Sequence, residues 1–525
     1  MPRLQAQDVL AGASVALVLI PQSLAYAQLA GVPAYRGLFA AAIPPLVAAP
    51  FASSPYLQPG PTAITALLTF GTLSPLAAPG SARYVGLALL LALMVGLIRI
   101  LVGLLRAGVI SFLLSQPLLN GFVPAAAILI LASQLPVALG TTSASGHVVP
   151  AAVEALAHPE GWGTAAIVVA VLAAAAMLAS RRLHPLVPGI LLAVVGATVY
   201  SRLADYSSAT VGRLGATYPQ FTDSLPWREA PHLVAGAAVI ALLGFAEAAS
   251  IARTYAAMDR HRWDADREFL AQGVANVAAA FSGGFPVGAS FSRSALNRLA
   301  GARTTASGFV TGAVVLLLLP LGFLLAHLPR SVLAVTVIVS VAPLIRFTHI
   351  FEVMRWSRPQ ASITLVTFVL TLALEPHIER ALLAGIGLSV AVHLWKELDV
   401  EIHTTREGAV LEVQPVGVLW FATAGGLEVR VLDLLASNPG VDRLRLRLDR
   451  LGRCDLSGAL TLRTLVNDAT AAGLTIEILG APPQARRVLR RVLGSLVDDA
   501  PTDDEPRMPQ NDVGRPDDAV ASGTL

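Results

Sequence analysis

Gln58-Pro59-Gly60-Pro61-Thr62-Ala63-Ile64-Thr65 and Gly283-Gly284-Phe285-Pro286-Val287-Gly288-Ala289-Ser290-Phe291-Ser292-Arg293-Ser294 are two places where Gly and Pro break apolar sequence that then resumes. Proline is tolerated in the first turn of a helix, where no intrahelical donor is lost. The first stretch therefore reads as irregular backbone entering a helix at about Thr62, too short for a full span. The second reads the same way, entering at about Ser290. Irregular backbone at membrane depth is stable only where protein or a water-filled cavity covers it.

The rest of the chain supplies the membrane setting. Of 525 residues, 55% are hydrophobic and 14% charged, against about 25% charged in soluble globular proteins. Mean hydropathy is +0.66. Apolar stretches recur from near residue 8 to near 395 and number about fourteen. Their centres lie at Ala16, Ile43, Ala66, Leu93, Ile128, Val171, Ala193, Ile240, Val274, Leu296, Leu317, Ile338, Phe368 and Leu388. Some are too short to cross a ~30 Å hydrocarbon core as one straight helix. The two interrupted segments are the third and the tenth, the same place in two halves of seven. Interruptions at matching positions point to a transporter site between inverted repeats. Two facing half-helix N-termini present free N–H groups and positive dipole ends, which favour an anion. The plainer alternative, in which Gly and Pro only kink packed helices, stays open at this level.

Charge narrows the function. A net charge of +3 gives nucleic-acid binding no electrostatic support. Cys454 is the single cysteine, which excludes a disulfide framework and a cysteine-ligated zinc site. No catalytic triad, metal motif or phosphate-binding loop is present, so neither an enzyme nor a metal or other cofactor is expected. The basic residues are arginines apart from Lys396, and their distribution places both termini in the cytoplasm. Arg99 and Arg106 fall inside, as do Arg181 and Arg182, the cluster Arg253, Arg260, Arg262 and Arg267, and Arg346, Arg355 and Arg358. The segment 140–163 has Glu154 and Glu160 but no Lys or Arg, which suits the outside. The loop 201–231 fits least: Arg202, Arg213 and Arg228 are offset by Asp205, Asp223 and Glu229. At the N-terminus, Ala25-Tyr26-Ala27 resembles a signal-peptidase site. Arg3 alone makes a weak basic n-region and Asp8 is misplaced for one, so a first transmembrane helix is the expectation.

Two charged residues stand inside apolar sequence. Arg293 follows the start of the tenth segment among Ser290, Ser292 and Ser294; an intramembrane arginine is costly and should face a cavity or a partner. Its plain alternative is an arginine snorkelling to the cytosolic edge. Glu247 lies in Gly244-Phe245-Ala246-Glu247-Ala248-Ala249-Ser250. It is placed either to carry a proton with the substrate or to form a structural ion pair with Arg293.

After Lys396 the texture changes. Transport domain 1–397 gives way to a small cytosolic α/β domain, 398–497. Leu444-Arg445-Leu446-Arg447-Leu448 alternates as a strand with one buried face. Val466 to Gly473 reads as a helix end with a Gly stop, and Leu474 to Leu479 as the next strand. Residues 498–525 are rich in Asp, Pro and Gly and are expected to be a disordered tail.

Ile20-Pro21-Gln22-Ser23-Leu24-Ala25-Tyr26-Ala27-Gln28-Leu29-Ala30-Gly31-Val32-Pro33 resembles the signature of the SulP sulfate-permease family. Gly37-Leu38-Phe39, Gly60-Pro61 and Phe291-Ser292-Arg293-Ser294 continue the match in order. Asp455-Leu456-Ser457-Gly458 is similar to the core motif of a STAS domain (sulfate transporter and anti-sigma-factor antagonist). The resemblance spans about residues 8–497. It implies an all-α polytopic membrane domain built as a 7+7 inverted repeat with core and gate (scaffold) subdomains, followed by an α/β STAS domain. It implies a homodimer in a bacterial inner membrane. It also implies that Gln22 and Tyr26 contact the anion, that Thr62, Ala63 and Ile64 supply backbone donors, and that Ser292 and Arg293 lie opposite. The carboxylate linked to cation coupling, by proton or sodium, falls on Glu247.

Three positions depart from the family pattern. Pro55, in Phe51-Ala52-Ser53-Ser54-Pro55, stands where many relatives have an arginine, which tilts the expected substrate from sulfate toward a carboxylate. Phe39 replaces a usual tyrosine. Phe421-Ala422-Thr423-Ala424 differs from the expected STAS sequence. Ser457 matches the phosphorylated position of anti-sigma-factor antagonists, or is an ordinary helix N-cap. Cys454 is expected in the core.

The expected function is a proton-coupled symporter of a small anion (dicarboxylate, bicarbonate or sulfate), working by alternating access. Its rivals are an electroneutral exchanger, an uncoupled anion channel, and a membrane-anchored ligand sensor signalling through STAS. A nucleobase permease would lack Arg293 and the STAS domain.

Overall fold

The computed structural model describes residues 4–141, 147–183, 187–204, 206–212, 218–219, 224–398 and 400–497. The expected tail, and Asp205, Arg213 and Asp223 of the 201–231 loop, lie outside the described residues. Two compact units are present, one spanning Met1–Val390 and one from Ala391 on.

The first unit is helical. In chain order it contains α1 (Ala6–Leu29), α2 (Tyr35–Ala48), α3 (Ala63–Leu73), α4 (Ala82–Leu104), α5 (Gln116–Leu139), α6 (Val148–Ala157), α7 (Thr164–Leu183) and α8 (Gly189–Leu203). After these come α9 (Ala230–Met258), α10 (Ala265–Phe281), α11 (Phe291–Leu299), α12 (Ala306–Leu318), α13 (Arg330–Val341), α14 (Phe347–Trp356), α15 (Arg358–Ala373) and α16 (Ile378–Glu397). Each of the fourteen apolar centres falls in a helix of its own. The two remaining helices, α6 and α14, have 10 residues each, so a search for spans passes over them. Among the described residues, seven helical stretches are long and apolar enough to cross a membrane, including α1, α4, α5 and Trp227–Met258. Of the others, α11 with 9 residues and α3 with 11 are among the shortest.

The short helices are short because of what precedes them. Pro59–Gly60 forms a two-residue strand, β1, and Gly288–Ala289 forms β2. The two pair antiparallel, Pro59 with Ala289 and Gly60 with Gly288. The extended backbone occupies depth that a full helix would fill, and the ladder satisfies the peptide groups that would otherwise face hydrocarbon. Around it, α10 packs along α4 and α2, α12 packs on α1 and α2, and α9 packs on α3 and α4.

Arg99 corrects the topological reading. It lies within α4, not in a cytosolic loop, and is fully buried. At the N-terminus of α1, Asp8 is also fully buried. It accepts hydrogen bonds from the N–H groups of Arg303 (2.8 Å) and Thr304 (3.0 Å) and from Thr304 Oγ1 (2.8 Å). It therefore anchors α1 to the turn before α12.

The second unit carries a sheet in the order β3 (Glu401–Glu407), β4 (Val410–Leu419), β5 (Arg443–Arg447) and β7 (Thr475–Leu479), with β6 (Leu451–Cys454) also paired to β4. β3 and β4 are an antiparallel hairpin, while β4 runs parallel to β5 and β6, and β5 parallel to β7. Parallel neighbours need crossover connections, which α17 (Phe421–Ala436) and α18 (Leu456–Ala471) supply, with α19 (Pro483–Leu493) following. Leu444 and Leu446 point into the core and the arginines beside them point away, as the alternation in sequence requires. Gly473, at φ +89°, ends α18's turn. Cys454 belongs to this core. The N-cap of α18 is Asp455, whose Oδ1 accepts from the N–H of Gly458 at 2.7 Å. Ser457 is thus an exposed first-turn residue and not the cap. Thr423 of α17 accepts from the N–H of Trp420 at 3.0 Å, which gives the departure at 421–424 a capping role.

Candidate functional site: two half-helices and two buried arginines

The β1–β2 ladder brings the N-termini of α3 and α11 to one place. Thr62 caps α3. Its Oγ1 accepts from the N–H of Thr65 while Thr65 Oγ1 accepts from the N–H of Thr62, both at 3.3 Å. The cap thus engages the Thr62 donor. The Ala63 and Ile64 N–H groups have no acceptor among the described residues, as expected for the first turn of a helix. Ser290 is the N-cap residue of α11 without a side-chain cap bond, and its hydroxyl lies 3.2 Å from that of Ser292. Ser292 is exposed.

Arg293 is 1% exposed. Its Nη1 donates to the Pro61 carbonyl at 2.8 Å, tying α11 to the entrance of α3. Nε and Nη2 are buried without a partner. A Cβ on Gly60 would stand 3.4 Å from Nη2, so glycine there keeps the guanidinium's free edge clear. The snorkelling alternative is not what the structure shows, because a snorkelling head group would be in water.

The family-signature residues of α1 face the same region. Gln22 and Tyr26 are one helical turn apart, on one face, and both are buried. Gln22 Oε1 has no hydrogen-bond partner. Tyr26 lies near enough to Arg293 and Glu247 to interact with both electrostatically. Glu247, on α9, is half-buried, and its Oε2 is buried without a partner. It feels the charges of Arg293 and Arg99, but no ion pair within 4 Å joins Glu247 to either. The structural Glu247–Arg293 pair is therefore absent.

A second polar layer supports this one. Asn297, one turn beyond Arg293, donates through Nδ2 to Ser307 Oγ at 2.9 Å and to the Tyr56 carbonyl at 3.2 Å. Glu268 is fully buried at the start of α10, and its Oε2 accepts from the N–H groups of Ser53 and Ser54, both at 3.0 Å. The loop containing Pro55 is thus fixed by Glu268 and Asn297, and position 55 contributes a turn.

Arg99 is the member of this neighbourhood that sequence reasoning misplaced. The rule that basic residues mark cytosolic loops assigns it to the end of a span. The signal against that assignment was a lone arginine with Ile98, Ile100 and Leu101 beside it.

The profile described as "Sulfate permease family" matches residues 6–398. A probable sulfate transporter of Mycobacterium tuberculosis is 35% identical over 521 residues, covering 94% of this chain and 91% of its own. The sodium-independent sulfate anion transporter of Bos taurus is 29% identical, covering 92% and 85%. Among solved structures, murine Slc26a9, an anion transporter in the inward-facing state, superposes with a TM-score of 0.86 at 20% identity, covering 94% and 88%. The transmembrane domain of the cyanobacterial bicarbonate transporter BicA gives 0.64 at 24% identity, covering 73% and 97%. These likenesses fix the fold as a polytopic transporter domain followed in sequence by a STAS-type unit.

Proposed function

The chain belongs to the sulfate permease family and is a multi-pass anion transporter of it, and from that premise we propose a proton-coupled symporter of a small anion. The observation that carries the reading is Arg293: fully buried, with two donor atoms unpartnered, beside the free first-turn N–H groups of α3 and α11. A buried guanidinium with two free donor atoms beside helix N-termini favours negative charge. Gln22 and Tyr26 would complete its wall from α1. Glu247 would carry the proton: its Oε2 has no internal partner, so nothing in the fold competes for that atom, and Arg293 couples it to the anion.

Sulfate is the first substrate to test, because the Mycobacterium tuberculosis and Bos taurus relatives are described as sulfate transporters; bicarbonate and a dicarboxylate follow. Alternating access would move the half-helix pair past the gate helices as one body. The arginine distribution supports cytoplasmic termini in a bacterial inner membrane, and the family resemblance supports a homodimer.

The test is uptake of labelled sulfate, bicarbonate and a dicarboxylate into proteoliposomes, with and without an inward proton gradient. Gradient-driven accumulation is expected, and Glu247→Gln should leave uptake that no longer responds to the gradient. Gradient dependence preserved in E247Q removes Glu247 from the coupling. Uptake that follows only anions loaded inside replaces symport with exchange.

A further inference from the structure

We infer that Arg99 is a positioning residue of the anion site, fixing the peptide at Val287 and through it the β1–β2 ladder and the end of α11 that carries Arg293. The inference rests on the anion-site reading above.

Arg99 is 0% exposed. Its three donor nitrogens go to three backbone carbonyls: Nη1 to Val287 (3.1 Å), Nε to Ala241 (3.1 Å) and Nη2 to Ile240 (3.0 Å). No carboxylate lies within ion-pair distance of it among the described residues. A buried guanidinium with no carboxylate in contact is costly in a membrane, and here its hydrogen bonds serve one geometry. Val287 is the residue immediately before β2. Its N–H donates to Asn276 Oδ1 at 2.9 Å, and its carbonyl also receives Asn276 Nδ2 at 3.0 Å. Arg99 from α4 and Asn276 from α10 thus share the Val287 carbonyl, and Asn276 also holds the Val287 N–H. Three residues later the chain reaches Ser290, the N-cap of α11. Whatever displaces Val287 displaces the ladder and then Arg293.

The same guanidinium reaches α9. Ile240 and Ala241 lie about two turns before Glu247, and Gly244 stands between. A Cβ at Gly244 would collide with Arg99 Nη2. Arg99 therefore links the helix of the proposed proton carrier to the strand that aims the anion-binding arginine. Lysine cannot replace it, since one ammonium lacks the planar fork that spans two elements.

Two variants of the full-length protein test this: Arg99→Lys, which keeps the charge, and Gly244→Ala, which keeps Arg99 and crowds its fork. Uptake of labelled sulfate, with labelled bicarbonate in parallel, is measured against concentration, and amide hydrogen exchange is followed over residues 285–294. Both variants should raise KM about tenfold, as expected for loss of a charge-assisted hydrogen bond. Maximal uptake per folded molecule should stay within about twofold, and exchange at 287–290 should speed up. A purely structural role would lower the folded yield and leave KM where it was. Wild-type KM and wild-type exchange in folded R99K and G244A would overturn the inference. If R99K does not fold, G244A decides alone. Failure of the wild-type protein to take up or bind either anion would instead sink the anion-site reading, and the exchange measurement would still report whether Arg99 fixes the strand.

Discussion

Arg293 carries five N–H donors, and Nη1, bonded to the Pro61 carbonyl, is its only nitrogen with a hydrogen-bond partner in the fold. Gln22 Oε1 and Glu247 Oε2 are likewise without partners nearby. Buried polar groups are rarely left unsatisfied, so such a cluster marks where the molecule expects an occupant. These residues were legible because an amide, a carboxylate or a guanidinium in an apolar run is conspicuous. Arg99 was equally conspicuous and was read wrongly, because sequence does not show that three carbonyls from two distant elements converge on it. Ser457 was misjudged by two residues for a related reason: Asp455 and Ser457 are both good caps, and only backbone geometry chooses between them. Cys454 allows a residue-level prediction. Burial, then the charge of Asp455, pushes its thiol up to about 11. At pH 8 almost no thiolate is present, and the thiolate is the reactive form. Iodoacetamide at that pH should leave Cys454 unmodified in the native protein and label it fully in denaturant; mass spectrometry reads the difference.

At the scale of elements, most of the fold announced itself. Apolar runs located the spans, and Gly-Pro interruptions located the two half-helices. The ladder that joins them did not, since a two-residue strand has no alternation to read. What fixes the helices to one another is equally silent in sequence. Asp8 counted in sequence only against a signal peptide, yet it satisfies two backbone donors and a hydroxyl at the entrance of α12. Asp8→Ala would strand those groups in a buried site, at a cost of about 1–3 kcal/mol. Thermal unfolding of the detergent-solubilised variant, followed by intrinsic fluorescence, should begin at lower temperature with wild-type helical content beforehand. An unchanged midpoint would mean that water replaces the carboxylate there.

At the scale of the whole molecule, the unit that follows the transport domain has a core of its own. Leu411, Val413, Leu444, Leu446, Leu462 and Leu465 are buried between its sheet and helices. A fragment 398–497 should therefore fold by itself and give one cooperative melt in far-UV circular dichroism; a featureless melt would show that it needs the membrane unit. The transport unit is built otherwise. Its central contact, Arg293 to Pro61, joins residues 232 positions apart. During synthesis α3 emerges with Pro59–Gly60 unpaired, and it stays so until Gly288–Ala289 has been made. Long-range pairing of this kind is slow and must await its partner. The proposed anion site is accordingly absent from every nascent chain shorter than about the first three hundred residues, by the position of β2. The second half of the transport unit must therefore be translated before the cluster around Arg293 can exist in any form.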